Sequence, residues 1–300
     1  MEISRKLKRY ISFLKYPSKI PFLLIYYINR LVADCRSYLG YYNYPYQIIF
    51  IAGMPLSATT WMKNLIARIP GYYSRPISMP YDIAVRQDIV DSAFKYAPSK
   101  GYALYKTHLN PRKENLDCIH RNGVKKIVVT YRDLRDVVIS RYYRLIDFPK
   151  SKGDPHFIDY CALGKEESIN HSIEVVAEDY VPWIKGWLEY EKTNPGDCLF
   201  IKFEDLRKKT KEEFLKVLSF YGISLQETKI DKIIEKSRGK GTVKTNFKAA
   251  KFLPFGLASN FRKGKIGGWK SEMNEVQIRK CKDMFGLTLM ELGYEKDLLW

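Results

Sequence analysis

The sequence lacks a cysteine framework. Its five cysteines, Cys35, Cys118, Cys161, Cys198 and Cys281, are odd in number and far apart. Neither a CxxC pair nor a Cys/His spacing of metal-site type is present, which argues against a disulfide scaffold and against a zinc site. Scattered single cysteines fit a reducing compartment, so the chain reads as cytoplasmic. Long hydrophobic runs are missing too. The apolar stretch Ile20–Ile28 (IPFLLIYYI) is too short to cross a bilayer, and Leu31–Cys35 (LVADC) is a poor signal-peptide cleavage site. Repeats and low-complexity tracts are absent. Acidic residues are the scarcer charge: 33 Asp and Glu stand against 51 Lys and Arg, a net charge of +18. Such an excess favours anionic partners. It is spread along the chain with no DNA- or RNA-binding motif beside it, so nucleic acid is not the expected partner.

The composition does support a folded domain, with 300 residues of which 46% are hydrophobic. Gln47–Ala52 (QIIFIA) is a short apolar run bounded by turn signals, as in a central parallel strand. Thr59–Ile69 follows with helical spacing and stops before Pro70. Gly101–Lys106 is a second candidate strand. Lys126–Tyr131 is a third, with a helical pattern over Asp133–Ile146. Cys198–Phe203 is a fourth, with a helical Lys211–Tyr221 beyond it. Strand then helix, several times over, predicts an α/β fold with a central parallel sheet flanked by helices. Ligands in such folds sit beyond the carboxyl ends of the strands, so the residues just after each strand are the candidates.

After the first strand comes the turn Pro55–Trp61, PLSATTW. A tight turn entering a helix points backbone N–H groups and a positive dipole end at one spot, and Ser57, Thr59 and Thr60 add hydroxyls. This suits a phosphate; an ordinary helix cap by Ser57 or Thr59 suits it equally. After the second strand comes Lys106-Thr107-His108, with a histidine where a general base would stand or where a structural one would. After the third comes Arg132, in YRDLRDVVISRYYR, with Ser140 two helical turns on. Arginine can fork onto a phosphate; surface ion pairing among Arg132, Asp133, Arg135 and Asp136 is the alternative. Near the end, Asn260–Lys270 reads NFRKGKIGGWK, either a loop closing on an anion or a solvated basic loop.

Together these four stretches resemble the PAPS-dependent sulfotransferases of cytosolic type, in the family's order and over roughly residues 45–295. The family's PKSGTTW loop is matched by Pro55–Trp61, its KTH by Lys106–His108, its RDPRDVxxSxYxR by Arg132–Arg144, and its RKGxxGxWK by Arg262–Lys270. The resemblance implies a fold related to the P-loop nucleotide kinases. It implies 3′-phosphoadenosine 5′-phosphosulfate (PAPS) as sulfuryl donor, PAP as product and no metal. It would place Ser57, Ala58, Thr59 and Thr60 at the 5′-phosphosulfate, Trp61 on the adenine, and Arg132, Ser140, Arg262, Lys263 and Gly264 at the 3′-phosphate. His108 would be the base, aided by Lys106. Residues 45–300 would form the sulfotransferase domain, and residues 1–44 a basic, aromatic helical extension. That extension either packs on the domain or rests on a membrane surface.

Departures from the pattern set further expectations. Leu56 stands where the family has a lysine at the bridging and leaving oxygens; removing one preorganised donor of that kind lowers rates on the order of 100- to 1000-fold. Lys106 could carry part of that load, and Lys63 is expected to point away. Ala58 replaces a glycine, and its Cβ should crowd a close phosphate approach or forbid a positive φ. Phe203 replaces the tyrosine of a YED motif that serves the adenine, and Gly268 a common aspartate. An active sulfotransferase, a PAP-binding protein of the same fold with weak turnover, and another P-loop-like transferase all stay open. A kinase would want GxxxxGK[ST] and an acidic magnesium ligand, and the loop has neither the glycine nor the lysine. The acceptor, a small molecule or a glycan or lipid, is expected between loops at Ile77–Ser99 and Lys150–Asn170, with Tyr72, Tyr73, Tyr81 and Phe148 as walls.

Overall fold

The computed structural model describes residues 20–147, 158–238 and 264–300. Helix α1 (Ile20–Tyr38) precedes β1 (Ile48–Gly53) and α2 (Thr59–Ile66). Then come β2 (Tyr72–Ser74), α3 (Tyr81–Val85), β3 (Tyr102–Thr107), α4 (Lys113–Arg121) and β4 (Ile127–Tyr131). Helices α5 (Leu134–Asp147), α6 (Tyr160–Val175) and α7 (Val181–Thr193) lead to β5 (Cys198–Lys202). The chain finishes with α8 (Phe203–Lys208), α9 (Thr210–Phe220), α10 (Glu227–Arg238) and α11 (Glu275–Glu291).

The five strands form one sheet in the order β2-β3-β1-β4-β5, every pair parallel. The pleat sorts side chains onto two cores. Ile48, Phe50 and Ala52 of β1, with Ala103 and Tyr105 of β3, face a layer containing Val137 and Val138 of α5, Trp183 and Trp187 of α7, and Leu289 of α11. Ile49 and Ile51, with Leu104 and Val128, face Met62 and Leu65 of α2, Phe214 of α9 and Ile233 of α10. Both faces of β1 are covered, so its uniformly apolar sequence is what a central parallel strand needs. The chain leaves β1 with β3 on one side and β4 on the other. Their carboxyl ends therefore open onto one crevice at the switch of strand order.

Several expectations need correcting. Edge strand β2 is only three residues long and carries too little pattern to be read. The two segments expected as pocket-lining loops are partly helical: α3 and a 3-10 turn at Asp91–Phe94 occupy the first, and α6 begins inside the second. Tyr72 is a core residue, fully buried and packed against Tyr44 and Tyr102, while Tyr73 is half-buried. Phe148 and the side chain of Tyr81 lie outside the described residues.

Candidate functional site

The turn after β1 is held by a knot of hydroxyls. Ser57 Oγ lies 2.7 Å from Met54 O, 3.0 Å from Thr130 O and 2.8 Å from Thr130 Oγ1. Thr59 Oγ1 joins it at 3.3 Å from both Met54 O and Thr130 Oγ1. Ser57 and Thr59 are buried, so these two hydroxyls face inward, toward the sheet. What the turn offers outward is its half-buried Thr60 and the first N–H groups of α2, which have no partner inside their own helix. Gly53 makes the knot possible: a Cβ there would lie 2.2 Å from Thr59 Cγ2 and 2.7 Å from Thr130 Oγ1.

The loop achieves its shape without the family's glycine. Leu56 sits at φ 69° and Ala58 at φ 62°, both left-handed. The expectation that Ala58 forbids a positive φ is therefore wrong. The chain accepts the geometry at about 1–2 kcal/mol per residue because the hydroxyl knot and the start of α2 fix the backbone on either side. The Leu56 side chain packs against the apolar core, so the loop carries an apolar side chain where the family has its lysine.

His108 follows β3 and is tied to β1. Its Nδ1 lies 2.5 Å from Gly53 O, a carbonyl that can only accept, so Nδ1 carries the proton and Nε2 keeps its lone pair. That lone pair accepts from Lys106 Nζ at 3.1 Å. Burial, and next the Lys106 charge, push the imidazole down to about 3, against the Gly53 bond, which raises it. Burial, and next the charge of Lys63, bring Lys106 to about 8. Lys63 was expected to point away. Its charge, one helical turn above the loop, lowers the pKa of Lys106, and burial lowers its own pKa. Trp183 and Trp187, unmarked in the sequence, fix the backbone beyond the histidine: their indole N–H groups donate to Leu109 O at 2.8 and 3.2 Å.

Arg132 follows β4 and joins the remaining stretches. It donates to Ser140 Oγ at 3.0 Å, to Lys265 O at 2.8 Å and, more weakly, to Leu56 O at 3.5 Å. Its guanidinium lies 4.3 Å from the centre of the Phe203 ring. Phe203 is buried at the start of α8, beneath the arginine. Asp136, 2% exposed, accepts from Gly267 N at 2.8 Å and Trp269 N at 3.1 Å and pairs with Arg132 at 3.5 Å. Arg135 bonds Asp133 and Glu295, and its guanidinium lies 4.1 Å from the Trp269 ring centre and 4.4 Å from that of Trp300. The charges read as a possible surface network are thus buried. They anchor the segment around Gly264, whose φ is 56°. Arg262 and Lys263 lie outside the described residues. Trp61 Nε1 approaches Ser237 Oγ at 3.4 Å on the α10 side of the crevice. Among the described residues no group of His, Cys, Asp and Glu could hold a metal ion.

The four stretches singled out in the sequence thus converge on one crevice: His108 bonds Gly53 at the end of β1, two residues before the first stretch, and Arg132 bonds both Leu56 and Lys265. A family model described as the sulfotransferase domain matches residues 47–293. The chain belongs to the sulfotransferase family. Its members are sulfuryl-transferring enzymes. Among its relatives, the amine sulfotransferase of Oryctolagus cuniculus is 24% identical over 262 residues, 79% of each chain. Sulfotransferase 1E1 of Mus musculus is 24% identical over 276 residues, covering 80% of this chain and 86% of that one. The fold matches mouse sulfotransferase SULT7A1, solved with PAP, with a TM-score of 0.61 at 21% identity over 86% of this chain and 90% of the other. It also matches retinol dehydratase, solved with androsterone and PAP, with a TM-score of 0.55 at 19% identity over 85% of each chain.

Proposed function

We propose that this sulfotransferase moves the sulfuryl group of PAPS to a hydroxyl or amine of a small-molecule or glycan acceptor, with His108 as the base. The observation that carries the reading is the His108 tautomer. Gly53 O holds the proton on Nδ1 and leaves Nε2 with a lone pair, the state a general base needs.

The residues present fit the donor. Among the described residues Arg132 Nε is buried with no hydrogen-bond partner, and the first turn of α2 presents backbone N–H groups at a positive dipole end. The N–H groups around Ala58, Thr59 and Thr60 would hold the 5′-phosphosulfate. Ser57 and Thr59 would shape the loop from beneath rather than touch the ligand. Trp61 would cover the adenine. Phe203 would hold Arg132 in plane. Arg132, Ser140 and Gly264, with Arg262 and Lys263, would take the 3′-phosphate. When bound, PAPS supplies the sulfuryl group and a phosphate leaving group; no metal is called for. An acceptor hydroxyl or amine displaces Lys106 from His108 Nε2 and gives Nε2 its proton, while Lys106 Nζ is freed to face the negative charge at the donor. Negative charge beside this pair raises both pKa values, so His108 becomes a stronger base only when the donor site is filled. Lys63 strengthens the positive field that the loop loses through Leu56.

A second reading has its own observation. The apolar Leu56 in the loop favours a PAP-binding protein with weak turnover. The test is PAP binding by calorimetry on the wild type, His108→Ala and Leu56→Lys, followed by transfer from labelled PAPS to phenols, sugars and amines. The active reading expects binding in all three and transfer in all but His108→Ala. Binding without transfer to any acceptor, unrepaired by Leu56→Lys, would favour the second reading, and absence of PAP binding would sink both.

A further inference from the structure

Helix α1 presents two unlike sides. Its inner side is pinned. Ala33 is 5% exposed, and the Asp34 carboxylate meets the Arg75 guanidinium at 2.6 and 3.2 Å, with the Arg75 side chain 1% exposed. An ion pair buried on the arginine side sets the rotation of the helix, because turning it would leave a buried charge uncompensated. The outer side is apolar. Ile28, Leu31, Val32, Tyr38 and Leu39 are 50%, 65%, 42%, 68% and 70% exposed, and Tyr41 just beyond is 72% exposed. At 100° per residue these helical positions fall in one arc of about 120°, so they form a stripe held away from the domain.

Charge selects the occupant. Residues 1–44 hold eight Lys and Arg against two acids, Glu2 and Asp34, a net of +6. Asp34 is turned inward onto Arg75, so no carboxylate from the described part of α1 faces outward. Arg36 is exposed beside the stripe, and Lys100 lies 4.6 Å above the Tyr38 ring. A second copy, carrying the same net charge of +18, would bring like charge to this face. A surface of anionic phospholipid offers the opposite sign and an apolar layer beneath it, which is what an interfacial amphipathic helix takes. No helix among the described residues is long and apolar enough to cross a membrane; α1 would lie in the interface. We propose that the outer face of α1 docks the enzyme on an anionic phospholipid bilayer, independently of the reaction it catalyses.

The experiment is co-sedimentation of the full chain with vesicles of phosphatidylcholine alone, or mixed equally with phosphatidylglycerol. Wild type is compared with Leu31→Glu/Val32→Glu. Both positions are exposed, so circular dichroism and the melting temperature should not change. The proposal expects pelleting with the anionic vesicles only, weakened by salt, and an affinity lowered at least about tenfold in the double variant. Three results would overturn it. Wild type could stay in the supernatant with both compositions. It could pellet as well with the variant, placing the contact elsewhere on the basic surface. Light scattering could instead find a concentration-dependent dimer that the variant abolishes, making the stripe a contact between copies.

Discussion

Replacing Lys106 by methionine should stabilise the fold at neutral pH and destabilise it at high pH. The ordinary lysine value of 10.5 falls to about 8 on folding because the ammonium is buried beside the charge of Lys63. At about 1.4 kcal/mol per pH unit, keeping Lys106 charged at neutral pH costs the folded state about 3 kcal/mol. Lys106→Met removes that penalty and keeps most of the side-chain stem. It also takes the donor from His108 Nε2, a loss of about 1–2 kcal/mol. The net expectation is a gain of about 1–2 kcal/mol near pH 7. Between about 8 and 10.5 the unfolded chain holds more protons at this residue than the folded one, so wild-type stability rises with pH across that window. The variant lacks this rise. Above the window the amine is neutral in both states, and only the lost hydrogen bond remains, leaving the variant the less stable protein by about 1–2 kcal/mol. Urea denaturation of both proteins at about pH 7 and about pH 10.5, with matched m-values, measures the difference. A variant less stable by the same amount at both pH values would refute the reasoning, because the ammonium would then suffer no burial penalty. Sulfuryl transfer should fall in the same variant even as its stability rises.

His108 gives the mirror case on the acid side. Its folded value of about 3 lies below the ordinary 6.5, so the wild type should lose stability as pH falls through that window. His108→Gln should lose less, while keeping PAP affinity and losing transfer; parallel melting curves against pH for the two proteins would exclude this. Ala58→Gly should raise stability by about 1 kcal/mol, by relieving a left-handed alanine at φ 62°, and a lower urea midpoint would contradict that geometry. Gly53→Ala should destabilise on the order of 3 kcal/mol, since its Cβ would lie 2.2 Å from Thr59 Cγ2. Adding Thr59→Ala should recover part of the loss, and an unchanged double variant would show that the clash lies elsewhere.

The sequence by itself determined the parallel α/β sheet and the four stretches that meet at its crevice. Both are carried by local pattern: short apolar strands bounded by turns, and polar residues just beyond them. The exact strand β2 was not legible, because three residues in register with β3 are an edge set by pairing rather than by pattern. The pointing of side chains was not legible either. Ser57 and Thr59 offer hydroxyls in the sequence, but Thr130, brought alongside by the β1–β4 pairing, turns them inward. Lys63 on α2 acts on Lys106 on β3 only because that helix packs beside that strand. The buried charges of Arg132 through Asp136 look like a surface run until the closing segment covers them. Trp183 holds the backbone after His108 from 75 residues away, with no local mark. Periodicity and turn chemistry act over a few residues and can be read from the chain. Burial, tautomer and shifted pKa depend on which distant groups exclude water or share a proton, and only the tertiary structure decides those.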